Sequence, residues 1–194
     1  LKKDCIGLLQ HIANVCTEDS CFSRNGIKIN PNNAWLNISV QESFLRFSNT
    51  DALTSVKNGQ FDDLLTSLIE PALEKENVPV FLTDYPAQMA ALAQISHDNP
   101  DFAERFELYV GGVELANGFS ELTDYLEQKS RFEKANQIRR YLGKNELPLP
   151  EPFLKELSAM PPSAGIAMGI DRLVMLAIGA DSIDQVVAFT PESL

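Results

Sequence analysis

Two runs of alternating residues, 105–110 and 113–119, meet at Gly111-Gly112. That pattern predicts a β-hairpin, because a two-residue turn needs residues that tolerate positive φ. A turn this tight also fixes a register. Val110 should lie opposite Val113, Tyr109 opposite Glu114, and Glu107 opposite Ala116. Residues opposite one another share a face, so Glu107 and Glu114 should sit diagonally on one face, with Cβ atoms about 7–8 Å apart. Phe106, Leu108 and Val110 then point to the other side, towards a core. Two carboxylates on one surface repel unless a cation lies between them. Oxygen-only ligands favour magnesium, which commonly accompanies nucleotide phosphates. The same spacing also suits the solvated face of an edge hairpin, so the residues alone leave both readings open.

Beyond the turn, the parity shifts. Asn117, Phe119 and Glu121 alternate on one face, which simple alternation puts on the opposite side from Glu114. All of these residues can serve one pocket only if a bulge lies between Glu114 and Asn117, or at Gly118, since an extra residue reverses the faces of everything after it. Without a bulge, Phe119 belongs to a core and Glu121 to the surface.

A second constellation occupies residues 165–176, where Arg172 is the only cation in a long apolar stretch. It falls in the first turn of an expected helix that starts near Asp171, where a positive charge opposes the helix dipole. An anion in front of both, such as a phosphate, resolves the conflict. The small residues Gly165, Ala167 and Gly169 would let a flat ligand approach the preceding strand. An ion pair of Arg172 with Asp171 or with a glutamate is the structural alternative.

The rest of the chain supplies a frame. Cys5, Leu8, Leu9, Ile12 and Val15 recur at helical spacing over residues 2–16. Residues 17–37 read as polar and turn-rich. Ser39 and Glu42 form an S-x-x-E capping box for a short helix through Phe47. Residues 61–73 are helical in pattern, with Pro71 expected to kink or end the helix, and 78–85 read as a buried strand. Asp124 and Glu127 cap a helix that ends before Gly143, with the basic cluster Arg139-Arg140 through Lys144 at its end. Antiparallel strands with helices around them give an α+β class, in one domain or part of one. The net charge of −11 argues against a large nucleic-acid footprint on these residues, because phosphate binding needs clustered Lys and Arg. No apolar run reaches the roughly 20 residues that span a bilayer. Cys5, Cys16 and Cys21 match no common zinc spacing and read as reduced thiols of a cytoplasmic protein.

The segment from Phe106 through Glu107, Gly111-Gly112, Glu114, Ala116-Asn117-Gly118-Phe119 and Glu121 to Leu122, together with Gly165 to Leu176, resembles class II aminoacyl-tRNA synthetases of the lysyl subgroup. Tyr85-Pro86-Ala87 and Leu92-Ala93-Gln94 fit that subgroup's preceding strand and loop. The resemblance is strong over residues 81–194, with 1–80 as a helical and loop insertion region. It implies the C-terminal half of the antiparallel catalytic fold, carrying the class's third motif. The first two motifs are not found, and in the family they lie upstream. The resemblance further implies an ATP- and magnesium-dependent ligase. In it Arg172 clamps ATP phosphate, Gly169 and Arg172 border the nucleotide, and Glu107 and Glu114 hold magnesium and nucleotide. Ala116, Asn117, Phe119 and Glu121 would line the amino-acid pocket, with Glu121 facing the substrate's distal ammonium. A homodimer is implied for the longer protein. Two branches of the subgroup fit. One charges tRNA(Lys) with lysine; the other, a short paralogous branch, activates (R)-β-lysine and transfers it to a lysine of elongation factor P. Ala116, where the tRNA-charging branch usually has glycine, favours the second, and Ser120 the first. A non-catalytic binding module is the rival class.

Overall fold

In the computed structural model the hairpin lies inside one five-stranded sheet, and the description covers residues 1–90 and 92–190. Helix α1 (Lys2–Cys16) leads into a small antiparallel ribbon of β1 (Phe22–Arg24) and β2 (Ile27–Ile29). The main sheet is built from β3 (Leu36–Ser39), β4 (Val80–Pro86), β5 (Phe102–Val110), β6 (Val113–Ser120) and β7 (Ala164–Met168), in that spatial order. The first pair is parallel and the others antiparallel. The α+β expectation therefore holds. The helical and loop region expected before residue 80 is only partly that: it contains three strands, one of which joins the main sheet.

Between β3 and β4 the chain forms α2 (Val40–Ser48), α3 (Ala52–Lys57) and a helix in three pieces. Ser39 caps α2 by accepting from the Glu42 N–H, as the capping box requires. The three-piece helix runs α4 (Phe61–Leu64), a π-helical stretch Leu65–Ile69, then α5 (Glu70–Leu73). The expected disturbance at Pro71 thus takes the form of a widened turn just upstream, which accommodates a residue that cannot donate to the ladder.

The sheet carries a core on each face. Phe81, Phe106, Leu108, Val110 and Leu115 pack against α1, the small ribbon and α8 (Ile170–Ala177). Val80, Leu82, Tyr85 and Tyr109 pack against α2 and the three-piece helix on the other face. That second cover reaches the β4 side of the sheet and leaves the face around β6 and β7 more open. Helix α6 (Tyr125–Tyr141) starts as expected, with Asp124 accepting from the Glu127 N–H. Its expected apolar stripe is mostly exposed, and Gln128 is its one buried residue. Helix α7 (Glu151–Leu157) follows.

Candidate active site

The hairpin register decides which side chains can meet. Val110 pairs with Val113 and Tyr109 with Glu114, as the turn demands. The register then shifts: Leu108 pairs with Ala116 and Glu107 with Asn117. The expected Glu107–Ala116 pairing is therefore corrected by one residue, and Leu115 is the extra residue of a bulge. This bulge falls in the interval between Glu114 and Asn117. With it, Arg105, Glu107, Tyr109, Glu114, Asn117 and Phe119 all belong to one face. Strand β7 continues that face with Ala167 opposite Asn117 and Gly165 opposite Phe119. Gly118 is needed on the reverse, where a Cβ would lie 2.6 Å from the Phe106 ring.

Ala116 is placed apart from its sequence neighbours. It pairs with Leu108 and Met168 and packs in the core behind the sheet, almost fully buried. Its methyl group is on the opposite face from Asn117. Any effect on a ligand would pass through the strand backbone and not through direct contact.

Glu107 is buried and strongly tied down. Its Oε1 accepts from Arg105 Nη2 at 2.6 Å, and its Oε2 accepts from Tyr109 Oη at 2.8 Å and also from the Tyr85 hydroxyl. Burial, then the Glu107 charge, push both tyrosine hydroxyls above their ordinary pKa, so both stay protonated donors. The Arg105 guanidinium lies over the Tyr85 ring, its Cζ 4.3 Å from the centroid. It also reaches Asn117 Oδ1 and the Met89 carbonyl. Tyr109 further contacts Glu70 Oε1 at 3.2 Å. Arg105, Tyr85, Tyr109 and Glu70 were not among the residues singled out from sequence. Arg105 and Tyr109 share parity with Glu107, a signal that could have found them.

Glu114 and Arg172 form the more open end of the same site. Arg172, in the first turn of α8, donates to the Glu114 carbonyl at 2.5 Å and lies 3.5 Å from its carboxylate. The Arg172 side chain is 46% exposed. An ion pair that wet contributes little to folding, so the guanidinium is available to an anion. A cleft of about 430 Å³ opens here, bordered by Arg24, Glu70, Glu114, Arg172 and Asp181. Gly169 is the N-cap of α8, directly before this turn.

At the other end, Phe119 packs against a small cluster of Ala90, Ala93 and Ala103 while remaining partly accessible. Glu121 follows β6, and its carboxylate occupies the space that a Cβ on Gly165 would fill, 2.5 Å away. The glycine in β7 thus leaves room for an acidic side chain on the sheet face. The described residues place a carboxylate pair and an exposed arginine at one end, an amide in the middle, and an aromatic ring with a carboxylate at the other. Such a surface suits a polyphosphate with a divalent cation beside a ligand bearing both a carboxylate and an ammonium group.

Comparison with known proteins fits this arrangement. The chain belongs to the class II tRNA synthetases of the D, K and N group, whose family model matches residues 3–193. Among curated proteins it is similar to the elongation factor P–(R)-β-lysine ligase of Salmonella gallinarum (strain 287/91 / NCTC 13346), at 50% identity over 128 residues, 66% of this chain and 39% of the relative. The ligase of the same name from Edwardsiella ictaluri (strain 93-146) is 41% identical over 176 residues, 79% of this chain and 54% of the relative. The chain spans 39–54% of the length of these relatives.

Proposed function

We propose that the protein carrying this chain activates a lysine-type amino acid with ATP and transfers it to a lysine of elongation factor P. The observation that carries this reading is the bulge at Leu115, which puts Glu107, Glu114, Asn117 and Phe119 on one sheet face beside Arg172. The names of the relatives support the choice of acceptor.

In this reading the substrate carboxylate attacks the α-phosphorus of ATP in line. A new phosphorus–oxygen bond forms, and pyrophosphate leaves with the electrons of the bond that breaks. No protein base is required, because the attacking carboxylate is already ionised. The neutral amine of the acceptor then forms a carbon–nitrogen bond at the carbonyl carbon, the carbon–oxygen bond to AMP breaks with its electron pair leaving on the phosphate, and the amine's surplus proton passes to water. Arg172 holds phosphate charge, and Glu121 holds the distal ammonium. Glu114, exposed at the cleft, and Glu107, whose Oε1 accepts from Arg105 alone among the described residues, would be the residues to hold a magnesium ion, with a nucleotide's phosphates needed to complete its ligands. When bound, that ion supplies charge neutralisation on the phosphates. The protein is a homodimer of the cytoplasm in this reading. Among the described residues no helix is long and apolar enough to cross a membrane.

The test is amino-acid-dependent pyrophosphate exchange with lysine and with (R)-β-lysine, followed by transfer of labelled amino acid to elongation factor P and to tRNA(Lys). Exchange with preferential labelling of the factor is expected. Preferential labelling of tRNA would support the second reading, a lysyl-tRNA synthetase, which Ser120 favours. Absence of exchange with both amino acids would overturn the proposed chemistry.

A further inference from the structure

We propose that Arg105 is a positioning residue that fixes the orientation of the Asn117 amide, so that the pocket presents an N–H donor to the carboxylate of the amino acid. The inference rests on the proposed ligase reading for the identity of that carboxylate, while the orientation itself rests on geometry alone.

Arg105 Nε lies 3.2 Å from the Asn117 side chain. An arginine has only donors. Whatever faces it must accept, so the oxygen of the amide is turned to Arg105 and the NH2 group is turned away. Arg105 cannot swing off to release that constraint. Its Nη1 donates to the Met89 carbonyl at 2.7 Å, its Nη2 to Glu107 at 2.6 Å, and its Cζ lies over the Tyr85 ring. Each edge of the fork therefore has a separate partner, and two tyrosine hydroxyls lock Glu107 in turn. One guanidinium thus connects the carboxylate at the nucleotide end to the amide at the amino-acid end. A lysine keeps the charge but offers a point donor without the planar fork, so it cannot hold these acceptors in the same geometry.

The experiment uses the intact protein that carries this chain, with Arg105→Lys, Asn117→Asp and Asn117→Ala variants. The Asn117 side-chain amide is assigned by its loss in Asn117→Ala and followed by nitrogen-15 NMR. In the unmodified protein it should give one resolved pair of signals. In Arg105→Lys that pair should move towards the position of a solvent-exposed asparagine. KM for the amino acid should rise about tenfold. Placed on Asn117→Ala, Arg105→Lys should change the amino-acid KM less than threefold, because its action runs through the amide. Asn117→Asp should melt close to the unmodified protein, since Asp still accepts from Arg105, yet lose at least tenfold in amino-acid affinity for want of the donor. An unmoved amide pair in Arg105→Lys, or an equal loss with and without Asn117, would overturn the proposal. Normal amino-acid affinity in Asn117→Asp would do so even if the arginine variant failed to fold. Absence of exchange in the unmodified protein would instead count against the ligase reading, and the amide signals would still decide the orientation.

Discussion

Arg172 and Glu107 are both charged residues in one site, but their surroundings give them different parts in folding. Arg172 is nearly half exposed, and its carboxylate partner is 3.5 Å away. Glu107 is buried and receives hydrogen bonds from Arg105, Tyr85 and Tyr109. Replacing Arg172 by alanine in the intact protein should therefore lower pyrophosphate exchange by at least about a hundredfold, in the range seen when one preorganised charge-stabilising donor is removed. The melting temperature should move by no more than about 2 °C, as for loss of an exposed ion pair. A large fall in melting temperature with exchange retained would make Arg172 structural. Ala116 behaves differently, because its methyl group is core. Ala116→Gly should lower stability by about 1.5 kcal/mol, the size of a lost buried methyl group together with added backbone freedom. It would also relax the strand that carries Asn117. We expect the preference for α-lysine over (R)-β-lysine to rise by less than the roughly tenfold that one methyl group in direct contact with a substrate commands. Competition between the two amino acids measures the ratio; a lower melting temperature with an unchanged ratio would leave Ala116 as packing alone.

At the scale of elements, regular periodicity was legible and local irregularity was not. The first helix, the capping box at Ser39, the hairpin and the Asp124 cap follow from spacing and turn chemistry, and each lies near its expected place. The hairpin turn fixed only the pairs next to it. The bulge at Leu115 was required by parity if the polar residues were to share a face, but spacing could not distinguish a bulge at that point from one at Gly118. Strands β1 and β2 have three residues each, too short for alternation to stand out in a polar segment. Pro71 announced a disturbance in its helix but not that it would be a widened turn over Leu65–Ile69, just before Glu70. Burial, opposed by the Tyr109 hydrogen bond and reinforced by the charges of Glu107 and Glu114, holds the Glu70 carboxyl above its ordinary value of 4.5. One tyrosine proton cannot serve Glu70 and Glu107 at once; protonated Glu70 could donate to Tyr109 in return. A carboxyl raised on folding binds more protons in the native state, so its contribution to stability falls as pH rises from the unfolded value through the folded one. Glu70→Gln should therefore melt higher than the unmodified protein at pH 8, with the gain shrinking to nothing near pH 4. A difference that is the same at both pH values would assign the effect to packing and not to ionisation.

At the scale of the whole molecule, the proposed function has the chain join an amino-acid pocket to one edge of a nucleotide site. In the proposed reading the sheet face offers Asn117, Phe119 and Glu121 to the amino acid, and Glu107, Glu114 and Arg172 to a metal and phosphate. Adenylate formation develops charge on the α-phosphate and on departing pyrophosphate together, so charge must be held at more than one point along the triphosphate. In the proposed reading Arg172 stands at one such point. Arg105 is committed to Glu107, Asn117 and the Met89 carbonyl, and cannot follow the reaction. The net charge of −11 adds no general attraction for a polyanion. We therefore expect the 194-residue stretch, expressed by itself, to retain the two cores of its sheet but to support no pyrophosphate exchange with lysine or (R)-β-lysine. The same residues within the longer protein should support it. Circular dichroism and a cooperative melt would establish that the stretch is folded, and exchange on that sample would follow. A rate comparable to that of the longer protein would show that Arg172, the metal and these carboxylates already suffice for the triphosphate, and that no further cation is needed at the α-phosphate.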